Sequence, residues 1–191
     1  MLRTSRARRW AVAALALACL VFPHGAAAEP LRFRIQPEAS EISFRATSRL
    51  MNAEGRFSRF SGDVIVDPAV ITGARITLAI EAASIDTGIE MRDNHLRSSD
   101  FFDVERFPTV AFQSVRVESA GRGATVIGHL TLHGVTREIA VPIDVQVAST
   151  ALVASGEFIV NRREYGMNYN SRLNPIGNEV RVTFTFRARV P

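Results

Sequence analysis

The 191-residue chain contains no lysine, so all 23 of its Lys/Arg positions are arginine. Its one cysteine, Cys19, and its one tryptophan, Trp10, both fall within the first 28 residues. The remainder therefore has no disulfide to staple it, no thiolate nucleophile and no thiolate metal ligand. It has to be held together by burial, and about 163 residues suffice for one domain with a sizeable core. Neither a G-x-S-x-G elbow nor a glycine-rich phosphate loop is present, which removes two common enzyme readings. After residue 28 no apolar run approaches the about 20 residues of a membrane-spanning helix. No Pro/Gly/Ser-rich linker or internal repeat divides the chain.

What stands at the start has the order of a secretory leader. Arg3, Arg6, Arg8 and Arg9 precede an apolar stretch from Trp10 to Phe22, and Ala26-Ala27-Ala28 offers the small residues a signal peptidase reads. The expectation is a leader over 1–28, cleaved after Ala28, and a mature domain over 29–191 in the periplasm. A weaker alternative is a lipoprotein site at Ala16-Leu17-Ala18-Cys19, which would leave a lipidated Cys19 as an anchor. The leader takes the formal net charge of +4 with it, since its four charges are all arginines and all 19 acidic residues follow it. A near-neutral mature chain has no clustered basic footprint for nucleic acid.

The rest reads as strand after strand. Val180, Val182, Phe184, Phe186, Ala188 and Val190 alternate with Arg181, Thr183, Thr185, Arg187 and Arg189, giving one apolar and one wet face. Ile139, Val141, Ile143, Val145 and Val147 repeat the pattern, as do Val126, Leu130 and Leu132. Further strands are expected around 31–36, 40–47, 54–66, 74–82, 109–118 and 150–160. Gly73, Gly121, Gly123, His133-Gly134 and Asn174-Pro175 punctuate them as turns. One interval, about 88–103, breaks the period. Thr87 and Glu90 have capping-box spacing before a short helix to about Arg97, with Ile89 and Leu96 on one face and Met91 off it. About eight antiparallel strands with one helical excursion suggest a closed all-β barrel or a sandwich. The same periodicity describes a filled and a hollow barrel.

Side chains with chemical potential are few. His129 and His133 flank Leu130-Thr131-Leu132 in a strand, where four residues separate side chains by about 13 Å, too far for one zinc ion. Arg92, Asp93, His95 and Asp100 gather on the helical excursion, either as a polar rim over a barrel mouth or as a salt-bridge cluster that orders it. Eleven phenylalanines follow the leader. Phe44, Phe57, Phe101, Phe102, Phe112, Phe158, Phe184 and Phe186 sit on expected strands or beside the helix, as core or as cavity lining.

Several motifs stand in a fixed order along the chain: Ser84-Ile-Asp-Thr87, Met91-Arg-Asp-Asn-His-Leu-Arg-Ser-Ser-Asp-Phe-Phe-Asp103 and Phe107-Pro-Thr-Val-Ala-Phe-Gln-Ser114, then Gly128-His-Leu-Thr-Leu-His-Gly-Val-Thr136, Gly156-Glu-Phe158 and Arg163-Glu-Tyr-Gly166. In residues and order they resemble the YceI-like family of bacterial polyisoprenoid-binding proteins. The resemblance implies a lipocalin-like extended antiparallel β-barrel with a lipid inside: a polyisoprenoid, an isoprenoid quinone or a fatty amide. Carried onto this chain, it implies an apolar lining of Ile42, Phe44, Phe57, Leu96, Phe101, Phe102, Phe112, Phe158 and Phe184. A polar rim for the head group would fall to Arg92, Asp93, His95 and Arg163. The family's early histidines are absent here, where the chain reads Ala39-Ser40-Glu41-Ile42-Ser43-Phe44 and Ser48 to Phe57, so no role is transferred from them.

The expected function is a periplasmic lipid carrier with no catalytic residue, metal or cofactor beyond its bound lipid, and with transient membrane-surface contact. Two alternatives stand beside it. One is a filled barrel that acts through its surface in envelope stress or assembly. The other is an enzyme on an isoprenoid lipid that uses Arg92, Asp93 and His95. A homodimer through flat polar strands such as 181–189 is open, with Arg181, Arg187 and Arg189 tending to blunt that edge.

Overall fold

A computed structural model describes residues 29–191 apart from Arg122. The expected leader over 1–28 and the Cys19 alternative lie outside the described residues. The strands are β1 (Leu31–Ile35), β2 (Glu41–Ser48), β3 (Ala53–Phe57), β4 (Phe60–Asp67), β5 (Val70–Glu81), β6 (Ile85–Asp86), β7 (Thr109–Ala120), β8 (Gly123–Leu132), β9 (Val135–Val147), β10 (Ala151–Asn161) and β11 (Ile176–Arg189). The helix α1 (Glu90–Arg97) lies between β6 and β7.

All pairings are antiparallel, and β1 meets both β4 and β11, which closes the sheet. Six of the segments are halves of longer strands. β1 and β2 both run along β11, interrupted by a short 3-10 turn at Pro37–Ala39. β3 and β4 pair with β2 and β1, and β5 and β6 pair with β4 and β3 across a turn at Ala82–Ser84. Counted so, eight strands close an up-and-down barrel. The single strand expected over 54–66 is two, broken after Phe57. β11 is hydrogen-bonded on both sides, to β10 and to β2. The 181–189 segment therefore has no free edge, and the route to a dimer through it is removed.

The two ends of the barrel differ. At the lower end Phe33, Val66 and Ala188 are almost wholly buried and plug the interior. At the upper end the wall splays. β9 and β10 pair only from Leu152↔Val147 to Gly156↔Ile143, and the ladder stops where Pro142 has no N–H to give. The pairings of β6 run to β3, and α1 with the segment after it follows β6.

Alternation sets which side chains enter the barrel, and one bulge changes its phase. β7 buries Val110, slips against β8 between Ser114 and Arg116, and then buries Val117 while Val115 faces out. The β8–β9 connection is the two-residue turn His133-Gly134, both at positive φ (51° and 73°), as a tight hairpin of matching twist requires.

α1 begins later than the sequence spacing suggests. Gly88, at φ 72°, reverses the chain, and Ile89 precedes the helix without a side-chain cap. The expected Thr87–Glu90 capping box is replaced by a longer reach. Asp93 accepts the Thr87 amide at 2.9 Å and the Thr87 hydroxyl.

Candidate functional site

The interior is hollow. A chamber of about 490 Å³ opens at the splayed end. It continues into a deeper space of about 120 Å³. Ile42, Ile80, Val110, Leu130, Phe158 and Val182 line both and form a waist between them. Volumes of this order hold small amphiphiles or lipid tails.

The walls follow from strand parity. From β11, Val180 and Val182 face the upper chamber, and Val182, Phe184 and Phe186 the lower. Three phenylalanines lie against glycines on neighbouring strands. Phe44 is paired with Gly55 and Phe184 with Gly156, while Phe112 covers Gly128. A Cβ on Gly128 would stand 2.5 Å from the Phe112 ring, so glycine is what permits that ring to lie along the wall.

The roof is α1 with the segment behind it. Its start is tied down by Asp93, and its end by Arg97, which donates to the carbonyls of Ala83 (2.9 Å) and Ile85 (2.8 Å). Ile89, just before the helix, and Arg92, His95 and Leu96 on it face the chamber. Arg92 is oriented by donating to the Thr87 hydroxyl at 2.9 Å and the Thr87 carbonyl at 3.0 Å. Phe102 packs on Phe57, which meets Phe44. On the other side His95, Phe101 and Tyr169 form a three-ring cluster with centroids 4.8 to 5.1 Å apart, and His95 Nε2 lies 2.9 Å from Asp100.

The second cover is the irregular segment between Gly166 and β11. Arg162, 3% exposed, clips it at both ends. Its guanidinium donates to the carbonyls of Met167 (2.6 Å), Gly177 (2.9 Å) and Ile176 (3.1 Å). No carboxylate pairs with it among the described residues, and burial, reinforced by the neighbouring Arg163, pushes its pKa below the usual arginine range. A buried cation held only by carbonyl dipoles beside an apolar chamber is an electrostatic asset for an anionic or carbonyl-bearing ligand group.

The nine apolar residues named from the sequence all line this continuous space. Ile42, Phe44, Phe57, Leu96, Phe101, Phe102 and Phe158 line the upper chamber, and Phe112 and Phe184 the lower. The polar residues divide. Arg92 and His95 face the chamber, whereas Asp93 is buried against Thr87 and Arg163 is exposed. Neither Asp93 nor Arg163 is on the cavity wall. The inward sequence of β10 runs Leu152, Ala154, Gly156, Phe158, Val160 and on to Arg162, so parity selects Arg162 instead of its neighbour. Met167, Tyr169, Ser171 and Asn174 were also missed, because the segment that carries them has no period to read. His129 sits on the outer face, and His133 Nδ1 lies 3.0 Å from the Tyr165 carbonyl in the hairpin turn.

The profile of the YceI-like domain matches residues 33–188. Among curated proteins, a UPF0312 protein of Shewanella baltica is 42% identical over 88 residues, 46% of each chain. One from Vibrio vulnificus is 40% identical over 89 residues, 46% of this chain and 47% of its own. The chain thus matches about half the length of these curated relatives. Burkholderia cenocepacia BcnA is 24% identical in sequence and superposes with a TM-score of 0.75, over 80% of this chain and 98% of that one. A polyisoprenoid binding domain from Saccharophagus degradans, 19% identical, gives 0.68 over 84% and 99%. At such identities the structural likeness speaks for the fold.

Proposed function

Because the chain belongs to the YceI-like domain family, we propose that it is an exported carrier that holds one long-chain polyisoprenoid or related amphiphile in its barrel and does no chemistry on it. The observation that carries this reading is the chamber that narrows at an apolar waist and continues below it. A tail can run from mouth to floor, while Arg92, His95 and Arg162 near the mouth suit a phosphate, quinone or amide head. Asp93 contributes by fixing Thr87, and Thr87 by orienting Arg92. The name of the Saccharophagus degradans domain supports a polyisoprenoid as the ligand class. The periplasm is the expected compartment, from the leader-like order of residues 1–28.

The energetics suit a carrier. A methylene leaving water gains about 0.8 kcal/mol, so a long tail passing from water into the barrel would exceed any attainable affinity. The exchange that matters is with a bilayer, where the tail is already dry and the barrel has only to match it.

Val182→Trp tests the reading by filling the waist. Titration with prenyl phosphates of increasing length is expected to show at least about tenfold weaker binding of long chains, with short chains that fit the upper chamber unaffected. Equal loss for all lengths, or none, would count against a tail threaded through the waist. Recovery of the lipid unaltered after long incubation is expected, and turnover that vanishes in His95→Ala would favour an enzyme instead.

A further inference from the structure

The rim of the chamber is more apolar than a water-facing surface requires. Leu50 and Met51, between β2 and β3, are 74% and 65% exposed, and Leu173, before β11, is 85% exposed. Ile89 and Met91, at the start of α1, are 47% and 83% exposed. Five of the nine exposed large apolar residues of the described chain therefore come from three segments, two loops and the start of α1. Those segments meet at one opening. Met51, Ile89 and Asn174 line the same chamber, and Asn174 Oδ1 accepts the Leu50 amide at 2.9 Å. Exposed apolar residues scattered singly need no explanation, but a contiguous group around a cavity mouth marks a contact surface.

The charges beside them indicate what is contacted. Arg49 adjoins Leu50 and Arg172 adjoins Leu173; both are exposed and neither makes an ion pair among the described residues. Elsewhere on the barrel Arg32, Arg45, Arg56, Arg59 and Arg181 are each matched to a carboxylate, whereas the exposed Arg75, Arg163, Arg187 and Arg189 are not, so what sets Arg49 and Arg172 apart is their place beside the apolar rim. On the rim Asp100 is engaged by His95, which leaves Glu90 as an exposed acid on the first turn of α1. Apolar side chains flanked by unpaired guanidiniums are the pattern that binds the boundary between head groups and acyl chains in an anionic leaflet.

We propose that this rim docks on an anionic bilayer. Leu50, Met51, Met91 and Leu173 enter the interface, and Arg49 and Arg172 meet lipid phosphates. The proposal rests on the carrier reading and deepens it, since a mouth sealed against the bilayer lets a tail pass between membrane and barrel without crossing water. A protein partner, including a second copy of this chain, would be the competing occupant.

The test is co-sedimentation of the exported protein, its N-terminus identified by mass, with vesicles of phosphatidylglycerol and phosphatidylethanolamine or of phosphatidylcholine alone. Binding is expected to the anionic vesicles, to weaken with salt, and to fall at least about tenfold in Met91→Asp/Leu173→Asp. Leu50→Asp on the β2–β3 loop should behave alike. Circular dichroism would establish that both variants fold, and native mass spectrometry that they keep their ligand. Equal binding of wild type and folded variants would overturn the proposal. So would a change from dimer to monomer in the variants with vesicle binding intact. A protein that holds lipid but ignores vesicles sinks the docking surface alone, whereas one that binds vesicles through the rim but never holds lipid sinks the carrier reading alone.

Discussion

At the scale of single residues, Arg162 joins two functions. Its three bonds to the carbonyls of Met167, Ile176 and Gly177 hold both ends of the irregular cover, and its charge is buried beside the chamber. Removing it leaves buried acceptors without partners, at a cost of about 3 kcal/mol. Arg162→Met is therefore expected to lower the denaturation midpoint and to open the 167–176 segment to proteases, with Arg162→Lys recovering only part of the loss. An unchanged midpoint and cleavage pattern would remove its role as a clip. The same residue shows what a sequence reveals. Val180, Val182, Phe184 and Phe186 were legible because alternation alone sends them inward. Arg162 obeys the same parity, yet a charged residue at a strand end reads as solvent-facing. Arg163 was named in its place from the motif. The glycine seats of Phe44, Phe112 and Phe184 were not legible, since pairing across strands decides which glycine faces which ring.

At the scale of elements, the helix is positioned by tethers, not by its own propensity. Eight residues are too few to be stable alone. Asp93 ties its start to Thr87, and Arg97 ties its end to the turn between β5 and β6. Arg97→Ala should raise amide exchange over 90–97 by roughly tenfold or more while the strands below the waist keep their protection. Uniform change across strands and helix would mean that roof and barrel unfold as one unit. The presence of α1 was legible from the break in period, and its end at Arg97 agrees. Its start was not, because Gly88 at positive φ displaces the cap and hands the carboxylate role from Glu90 to Asp93. The break after Phe57 was hidden as well, since both halves of that long strand keep an alternating pattern, and β6, two residues long beyond the turn at Ala82–Ser84, is too short to show a period. Pro142 carried a readable signal, because a residue without an N–H ends a ladder.

Over the whole molecule, the exterior carries carboxylates held by arginine. Asp63 is kept below the usual carboxylate range chiefly by its hydrogen bond from Arg32, and Glu81 by that from Arg59. Asp86 is lowered first by the Gly88 amide and then by Arg56. For groups depressed in the folded state, the contribution to stability is full above their unfolded pKa and is lost as pH falls through the lower folded value. Thermal midpoints should be level from neutral pH down to about 5 and decline below about 4. The decline should be modest, because these pairs are solvent-exposed. A midpoint unchanged to pH 2 would show that these pairs contribute nothing.

The antiparallel all-β class was legible because burial in such a sheet writes a period of two along every strand, while the choice of a barrel over a sandwich came from the resemblance of the motifs to the YceI-like family. The hollowness of the barrel was not legible, since an inward residue reads the same whether it meets another side chain or an empty space. The space about the waist is thus proposed to belong to a lipid tail. Native mass spectrometry of the protein, exported and purified without detergent, tests it most directly, with organic extraction identifying anything released. A one-to-one adduct that yields a single prenyl-type or related long-chain amphiphile is the expected result. A bare protein mass that stays bare after quinones and prenyl phosphates are offered would contradict the account.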